Sequence, residues 1–333
     1  MKRLLPFSLL LLMVPLVALA SACGDDDDGG SGMTKVTFML DWTPNTNHAG
    51  IFIAKEKGYY KDAGIDINIV EPGSGGVDQV VGAGTADFGI SVQEGVIPAR
   101  AQGVPVVSIA AILQHNTSSL ISLASDNIKT PKDMAGKTYG GFGGPLETAL
   151  IKKLTTCDGG DANAIKFVEV GNIDYLIGME QNKFDFAWIF DAWDGVRYKD
   201  IEKKSVNTIP FIQYTKCIPD WYTPVIITNE AMIKSHPETV RKFMEATAKG
   251  YADAIKSPDD SYNAIIKNAP ETDKALLKAS AAYLKDKYVD SGRKWGLQDE
   301  AIWTGFVKFL KDSGLIEKEI DVKSAYTNDF LPK

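Results

Sequence analysis

Polar and aromatic side chains follow the apolar run 36–40, at the point where a strand is predicted to end. They are an acid, an indole, an amide and an imidazole: Asp41, Trp42, Asn45 and His48. In an open α/β sheet, ligands bind in the crevice outside the carboxyl ends of the strands. A ring for stacking beside hydrogen-bonding groups, in such a place, predicts the floor of a site for a small ligand.

Later strand ends and glycine-rich turns carry side chains of the same kind. The residues predicted to complete the ligand site are Gln93, Glu94, Phe142, Gly143, Glu147, Trp188, Asp191, Trp193 and Tyr222. Their rings offer faces to a flat heteroaromatic ligand, and their carboxylates pair with exocyclic amines or ring N–H groups. A sulfonate or nitrate would need cationic donors, and few Arg or Lys residues occur in these loops. The pattern therefore favours a heteroaromatic ligand over an anion.

Some of these residues have an equally ordinary structural explanation. His48, at the start of a predicted helix, fits a cap or a buried hydrogen-bonded group as well as it fits a ligand contact. Trp188 lies inside an apolar strand and fits the core equally well, and Trp221 can exchange roles with Tyr222. These alternatives stay open at the level of sequence.

The sequence lacks the common signatures of catalysis and metal binding. Its three histidines lie far apart, and neither HExxH nor GxSxG occurs. No CxxC spacing is present, so a structural zinc site is not predicted. We therefore expect a protein that is not an enzyme and that uses no cofactor or metal.

Residues 1–23 have the pattern of an export signal. A charged start precedes a long apolar run, and small residues lead to Cys23. A cysteine in that position resembles a bacterial lipobox, in which it becomes the lipid-bearing N-terminus; ordinary cleavage beside an incidental Cys23 is the alternative. Residues 24–34 are acidic and glycine-rich, as expected of a flexible tether. We expect an exported protein that meets the membrane only through its lipid.

Charge and cysteine usage narrow the function further. A formal net charge of −7 argues against nucleic acid, which requires a basic surface. No later apolar run reaches the ~18 residues that a membrane span requires. Besides Cys23 the chain contains Cys157 and Cys217, and the sequence leaves open whether these two pair outside the cytoplasm.

Alternating strand and helix patterns occur in two successive groups along the chain. They predict two α/β lobes, each a mainly parallel sheet flanked by helices. The chain is expected to cross between the lobes near residues 116–119 and to return near 220–229. Residues 35–118 and 222–333 are therefore assigned to lobe 1 and residues 119–221 to lobe 2. The two crossings form a hinge, and a cleft lies between the lobes. This arrangement is a two-lobed clamshell.

The strand-end motif 40–50 resembles the solute-binding proteins of ABC importers in the group related to thiamine-pyrimidine synthases. The runs 91–94, 139–147 and 185–191 carry the same resemblance, which extends over most of the chain beyond the tether. It implies a type II-like periplasmic-binding-protein clamshell. It also implies a monomer whose partners are a permease and an ATPase subunit.

Members of this group bind thiamine precursors, riboflavin, sulfonates or nitrate, and the resemblance is greatest to binders of formylaminopyrimidine. It implies a thiamine-precursor pyrimidine as the ligand, with riboflavin as the alternative. The eukaryotic relatives that build the thiamine pyrimidine use a histidine and a cysteine-rich run with iron. His48 lies in the corresponding motif, but the sequence has no cysteine cluster. An enzyme of that kind is therefore the less favoured alternative.

Overall fold

Strands and helices alternate along most of the chain. A computed structural model describes residues 32–73, 75–171, 173–318 and 320–333, and Met33–Lys333 forms one compact unit. The predicted export signal, its Cys23 and most of the tether 24–34 lie outside the described residues, so these assignments stay predictions.

The strands are β1 (Thr34–Met39), β2 (Ile65–Val70), β3 (Phe88–Ser91), β4 (Val106–Ala111), β5 (Ser118–Leu123), β6 (Thr138–Gly141), β7 (Lys166–Glu169), β8 (Phe186–Phe190), β9 (Val206–Pro210) and β10 (Val225–Asn229). The α-helices are α1 (Ala49–Glu56), α2 (Tyr59–Asp62), α3 (Val77–Gly82), α4 (Gln93–Ala101), α5 (Pro145–Cys157), α6 (Tyr175–Glu180), α7 (Glu230–Ser235), α8 (Pro237–Lys256), α9 (Pro258–Asn268), α10 (Lys274–Leu284), α11 (Glu300–Asp312) and α12 (Val322–Ala325). Short 3-10 helices lie at Thr46–His48, Ala124–Asp126, Pro131–Met134, Ala162–Ala164 and Phe211–Tyr214. Two π-helical turns follow β8, at Asp191–Gly195 and Arg197–Ile201.

The first sheet has the strand order β2-β1-β3-β10-β4. Strand β1 runs parallel to β2 and β3, while β10 runs antiparallel to both of its neighbours, β3 and β4. Strands β3, β4 and β10 are buried along their whole length. This burial explains why their sequences are mainly apolar, as is usual for strands that are covered on both faces.

The second sheet repeats this plan with the order β7-β6-β8-β5-β9. Strand β6 runs parallel to β7 and β8, and β5 runs antiparallel to β8 and β9. In each sheet, then, a single strand is reversed among four that share one direction. The predicted two-lobed α/β clamshell with mainly parallel sheets is confirmed.

The reversed strands, β5 and β10, are the first strands after each passage of the chain between the sheets. The first crossing (residues 112–117) joins β4 to β5, and the second crossing (residues 215–224) leads into β10. A strand that enters its sheet directly from the other lobe starts at the hinge edge. Strands that follow a helix within their own lobe start at the opposite edge, which accounts for the reversal.

An apolar cluster joins the two lobes at the second crossing. Trp221 is fully buried, and its ring stacks on that of Phe306 in α11 with centroids 4.9 Å apart. Trp188 of β8 and Phe211 pack against the same indole, at 6.2 and 5.8 Å. Trp188 and Trp221 therefore both pack within this apolar cluster.

A disulfide joins Cys157, at the end of α5, to Cys217 in the second crossing, with 5.6 Å between the Cα atoms. The question that the sequence left open is thereby answered in favour of pairing. The bond ties the segment before β10 to helix α5 of the second lobe. Among the described helices, none is both long enough and apolar enough to span a bilayer.

Candidate functional site

A cavity of about 390 Å³ lies between the lobes, at the carboxyl ends of β1 and β3. Its described lining residues are Asp41, Trp42, Asn45, Thr46, Asn47, Val77, Asp78, Ile90, Ser91, Val92, Thr117, Phe190, Ala192, Trp193, Thr223 and Pro224. Both lobes and both crossings contribute to this wall. No Arg or Lys occurs among these described lining residues, so the charged side chains of the wall are acidic.

Asp41 is held in place by a buried histidine. His48 Nε2 lies 2.7 Å from Asp41 Oδ1, and the imidazole is completely buried. The backbone N–H of Asn45 donates to His48 Nδ1 at 3.3 Å. Since Nδ1 accepts, the proton is assigned to Nε2, which donates to Asp41. One carboxylate oxygen is thereby fixed, while the side chain stays 27% exposed and leaves the other oxygen to a ligand.

The loop itself is ordered by Asn45. Its side chain accepts a hydrogen bond from the backbone N–H of Asn47 at 2.9 Å and so caps the 3-10 helix that contains His48. Asparagine is a common N-cap residue and caps helices in this way. Asn45 therefore holds both His48 and the adjacent backbone while it lines the cavity.

Asn47 contributes an unused acceptor to the wall. Its Oδ1 is buried and has no hydrogen-bond partner among the described residues. Leaving a buried polar atom unpaired costs about 1–3 kcal/mol. A ligand N–H group at this position would recover that cost.

A second carboxylate, Asp78, lines the cavity in the first turn of α3. Its Oδ1 accepts a hydrogen bond from Ser91 Oγ at 2.7 Å. Burial raises the pKa of Asp78, and this hydrogen bond partly offsets the rise. Gly95 makes room for the carboxylate, since a Cβ there would lie 2.8 Å from Asp78 Oδ2.

Sequence reasoning missed Asp78. The available signal was an acid in the first turn of a helix, directly after the glycine-rich segment that follows β2. Such an acid is ordinarily explained by the helix dipole, and only the fold shows that it faces the same cavity as Asp41.

Aromatic rings from both lobes meet at the cavity. Trp42 and Trp193 stand edge to face, with centroids 6.4 Å apart and planes at 75°. Trp42 is 46% exposed and Phe190, at the end of β8, is 42% exposed. Rings that remain exposed at a cavity offer apolar faces on which a planar ligand can stack.

Glu94 is absent from the described lining residues of the cavity, although Val92, two residues before it, is among them. Burial raises the pKa of Glu94 to about 7; the nearby Asp78 charge adds to the rise, while the Trp221 and Thr223 side chains oppose it. Its Oε2 is buried and accepts no well-formed hydrogen bond from a described residue. Near neutral pH the carboxyl is therefore divided between its neutral and charged forms.

Residues 45–261 match the sequence model of the family described as NMT1/THI5 like. The chain belongs to that family. The family resemblance of the strand-end motifs is thereby confirmed.

The curated relatives of this NMT1/THI5-like chain are named either as binding proteins or as synthases. A formylaminopyrimidine-binding protein of Halalkalibacterium halodurans is 26% identical over 328 residues, which cover 97% of this chain and 98% of the relative. The riboflavin-binding protein RibY of Chloroflexus aurantiacus is 25% identical, with 90% and 87% covered. A 4-amino-5-hydroxymethyl-2-methylpyrimidine phosphate synthase of Legionella pneumophila is 26% identical, with 90% and 93% covered.

The fold has solved counterparts among binding proteins. The alkanesulfonate-binding protein SsuA from Xanthomonas axonopodis pv. citri, bound to MOPS, superposes with a TM-score of 0.66 over 89% of this chain and 99% of that chain, at 11% identity. At this identity the likeness shows the periplasmic-binding-protein fold alone. Together with the binding proteins among the relatives, it supports a solute-binding role.

The structure brings four of the predicted ligand residues to the cavity wall: Asp41, Trp42, Asn45 and Trp193. Two others form a structural contact between the β3–α4 loop and the second crossing. Gln93 N donates to Tyr222 O at 3.0 Å, and Tyr222 N donates to Gln93 Oε1 at 2.8 Å. The Tyr222 hydroxyl faces the C-terminal part, where it accepts from Asp299 N at 2.9 Å.

The glycine-rich turn of the second lobe lies off the cavity wall. Glu147 caps α5, where its carboxylate accepts from the Tyr139 hydroxyl and from the backbone N–H groups of Phe142 and Gly144. Phe142 is 57% exposed, and Gly143 takes a φ of +77°, which favours glycine. A ligand role for these residues stays a prediction.

Asp191 lies between two residues of the cavity wall, Phe190 and Ala192, but faces elsewhere: Ser119 Oγ donates to its Oδ2 at 2.7 Å. Among the described residues, no group of three or more His, Cys, Asp or Glu side chains could hold a metal ion. The cavity wall itself presents hydrogen-bond acceptors beside aromatic faces.

Proposed function

We propose that the protein is the solute-binding lipoprotein of an ABC importer and that it captures a thiamine-precursor pyrimidine, of the formylaminopyrimidine or hydroxymethylpyrimidine type. It acts outside the cytoplasm as a monomer, is anchored to the membrane through lipid on Cys23, and passes its ligand to a permease driven by an ATPase. The ligand binds in the cavity between the lobes.

One observation carries this proposal: the interlobe cavity combines unused acceptors with aromatic rings. Asp41, Asp78 and Asn47 supply oxygens, and Trp42 and Trp193 supply faces. An aminopyrimidine presents exocyclic amine donors at the edge of a flat ring, so each part of it has a complement on the wall. A sulfonate or nitrate would meet two carboxylates instead, which disfavours anions.

The name of one relative points in the same direction, since it is a formylaminopyrimidine-binding protein that matches nearly the whole chain. The RibY relative makes riboflavin the second candidate. A volume of about 390 Å³ lies near the lower end of the ~300–1,000 Å³ usual for ligand sites. This size favours a single ring with small substituents over a three-ring flavin that carries a ribityl chain.

We further propose that the protein is not an enzyme, although a synthase is among its relatives. The histidine of the family motif, His48, is completely buried. One of its ring nitrogens accepts from Asn45 N and the other contacts Asp41. This imidazole therefore serves to orient the Asp41 carboxylate, and it does not face the ligand cavity.

Capture depends on the hinge. The cavity wall draws on Asp41 and Asp78 from one lobe and on Phe190 and Trp193 from the other. A ligand that contacts both sets at once stabilises the closed arrangement and shifts the population toward it. The permease then distinguishes the loaded, closed protein from the empty one.

Calorimetric titration of the purified protein with formylaminopyrimidine, hydroxymethylpyrimidine and riboflavin tests the assignment. We expect saturable binding of a pyrimidine, weakened about tenfold to a hundredfold by Asp78→Asn, because a charge-assisted hydrogen bond is worth about 1.5–3 kcal/mol. Asp259→Asn, which alters an exposed acid in the first turn of another helix, is the matched control and should bind normally. Unchanged affinity in both Asp78→Asn and Asp41→Asn would place the ligand elsewhere.

Membrane anchoring has a separate test. Cys23→Ala should move the protein from the membrane fraction to the soluble fraction of cells, because the proposal attaches the protein to the membrane only through lipid on Cys23. Retention of the variant on membranes would contradict the proposed anchor without affecting the ligand assignment.

A further inference from the structure

A second cavity, of about 310 Å³, lies beside the first crossing. Thr117 lines both cavities, and Asp191 lines the second one while its neighbours Phe190 and Ala192 line the first. The two cavities thus lie on either side of the start of the π-helical turn after β8. The proposed function makes no use of the second cavity.

The wall of this second cavity comes from both sides of the hinge. Ser118 and Asp191 belong to the second-sheet lobe, whereas Tyr283 and Lys287 belong to the end of α10 and the turn after it. Helix α10 packs against α9 and the 3-10 helix of the first lobe. A solute in this cavity would therefore touch both lobes at once.

Three polar side chains of the wall each have one buried atom without a hydrogen-bond partner among the described residues. These atoms are Asn116 Nδ2, Ser118 Oγ and Asp191 Oδ1. Asn116 is 2% exposed and Ser118 is 1% exposed. Buried polar groups in native proteins are nearly always paired, so such a cluster indicates a missing partner.

Two of these side chains are held by hydrogen bonds from their other atoms. Asn116 Oδ1 accepts from Ser118 N at 2.7 Å, and Asp191 Oδ2 accepts from Ser119 Oγ at 2.7 Å. The unpaired atoms of these two side chains, Asn116 Nδ2 and Asp191 Oδ1, are consequently held in position. The wall is a preorganised set of one amide donor, one hydroxyl and one carboxylate oxygen.

The remaining charges around the cavity are mostly engaged. His115 contacts Asp220 at 2.6 Å and Asp290 at 3.1 Å, and Asp286 pairs with Lys285 at 2.9 Å.

Lys287 has none of these contacts. Its Nζ lies 5.8 Å from the centroid of the Tyr283 ring, and it forms no ion pair with a described residue. Asp191 likewise forms no ion pair with a described residue, although Lys199 and Lys287 attract its carboxylate at longer range. A solute can therefore meet one negative group, Asp191, and one positive group, Lys287.

We propose that this second cavity is a binding site for a small zwitterion of the amino-acid type. The ammonium group of the solute pairs with Asp191 Oδ1 and Ser118 Oγ. Its carboxylate accepts from Asn116 Nδ2 and lies toward Lys287. The cavity exceeds the ~30 Å³ share of one water several-fold, which leaves room for such a solute.

Binding at this position also acts on the hinge, because the solute contacts residues on both sides of it. A solute that prefers one hinge angle shifts the equilibrium toward that angle. The second site thereby couples the concentration of a common solute to the population of the closed protein.

Calorimetric titration with glycine tests the proposal on the full chain, with methylammonium and acetate as probes of each charge alone. Glycine is expected to bind saturably and more tightly than either single-charge probe. Asp191→Asn and Ser118→Ala should each weaken glycine binding about tenfold or more. Asp259→Asn and Ser125→Ala, which alter exposed residues of the same types outside the wall of this cavity, should bind glycine normally.

Thermal unfolding of each variant first establishes that it is folded, and Lys287→Met replaces Asp191→Asn if the latter is not. Absence of saturable glycine binding overturns the proposal, as does unchanged binding in the Asp191 and Ser118 variants. Methylammonium binding as tight as that of glycine would overturn the assignment to a zwitterion. None of these outcomes depends on which ligand occupies the first cavity.

Discussion

Replacing Glu94 by glutamine should make the protein more stable in mildly alkaline solution. Burial raises the pKa of Glu94 from an ordinary 4.5 to about 7. Between these two values the folded protein binds the proton more tightly than the unfolded chain does. Stability from this group is therefore present at acid pH and is lost as the pH rises through that range.

The size of the effect follows from the pKa change. Each tenfold change in acidity is worth about 1.4 kcal/mol, so ionising Glu94 costs the folded protein roughly 3 kcal/mol by pH 8. Glutamine keeps the shape of the side chain and cannot ionise, so Glu94→Gln avoids this cost. For a folded unit of about 300 residues, the difference corresponds to a melting temperature higher by about 5 °C.

Thermal unfolding followed by circular dichroism, at half-unit steps from pH 4.5 to 8, measures this difference. The variant and the native protein should melt close together at pH 4.5 and diverge as the pH rises. Asp191, another buried acid whose pKa is raised, affects both proteins alike, so its contribution cancels. Glu238→Gln, at a glutamate whose side chain is 79% exposed, should show no divergence. A difference in melting temperature for Glu94→Gln that stays constant across this range would show that ionisation of Glu94 does not destabilise the folded protein.

Three further predictions concern the site and the frame around it. Trp42→Ala should weaken pyrimidine binding about threefold to tenfold by calorimetry, since aromatic pairs contribute about 0.5–1.5 kcal/mol beyond burial; full affinity would remove Trp42 from the site. His48→Ala should weaken binding about tenfold because Asp41 loses its positioning donor, while His236→Ala, at an exposed histidine, should not. Replacing Cys157 and Cys217 together by serine should lower the free energy of unfolding in urea by about 4 kcal/mol, given a 60-residue separation; an unchanged unfolding midpoint would contradict a stabilising role for the disulfide.

The long helices and the lobe plan follow closely from local sequence. The bounds of helix α8, Pro237–Lys256, can be read from the sequence, because proline and an acid mark its start and an amphipathic pattern continues to its end. The alternation of strands and helices likewise predicts two sheets. The reversed direction of β5 and β10 depends on where the chain crosses between the lobes. The hydrophobic periodicity of the sequence alone does not predict it.

For the candidate site, the sequence predicts where residues lie along the chain but not the direction in which each side chain points. Asp41 and Trp42 directly follow a strand, so their position at the cleft follows from the sheet rule. Tyr222 lies in a crossing without regular periodicity, and packing alone directs its hydroxyl to Asp299. Glu147 lies three residues after Gly144, a spacing typical of helix capping, and its carboxylate is used there. The sequence does not show which way Asp78 points from its helix, and Gly95, distant in sequence, leaves room beside its carboxylate.

Native mass spectrometry of the purified protein, titrated with formylaminopyrimidine and then with riboflavin, tests most directly whether the interlobe cavity binds a pyrimidine. We expect a single added mass equal to that of the pyrimidine, lost in the Asp78→Asn variant and retained in Asp259→Asn. A flavin mass with no pyrimidine adduct, or a pyrimidine adduct that persists in both Asp78→Asn and Asp41→Asn, would contradict the binding of a pyrimidine in this cavity.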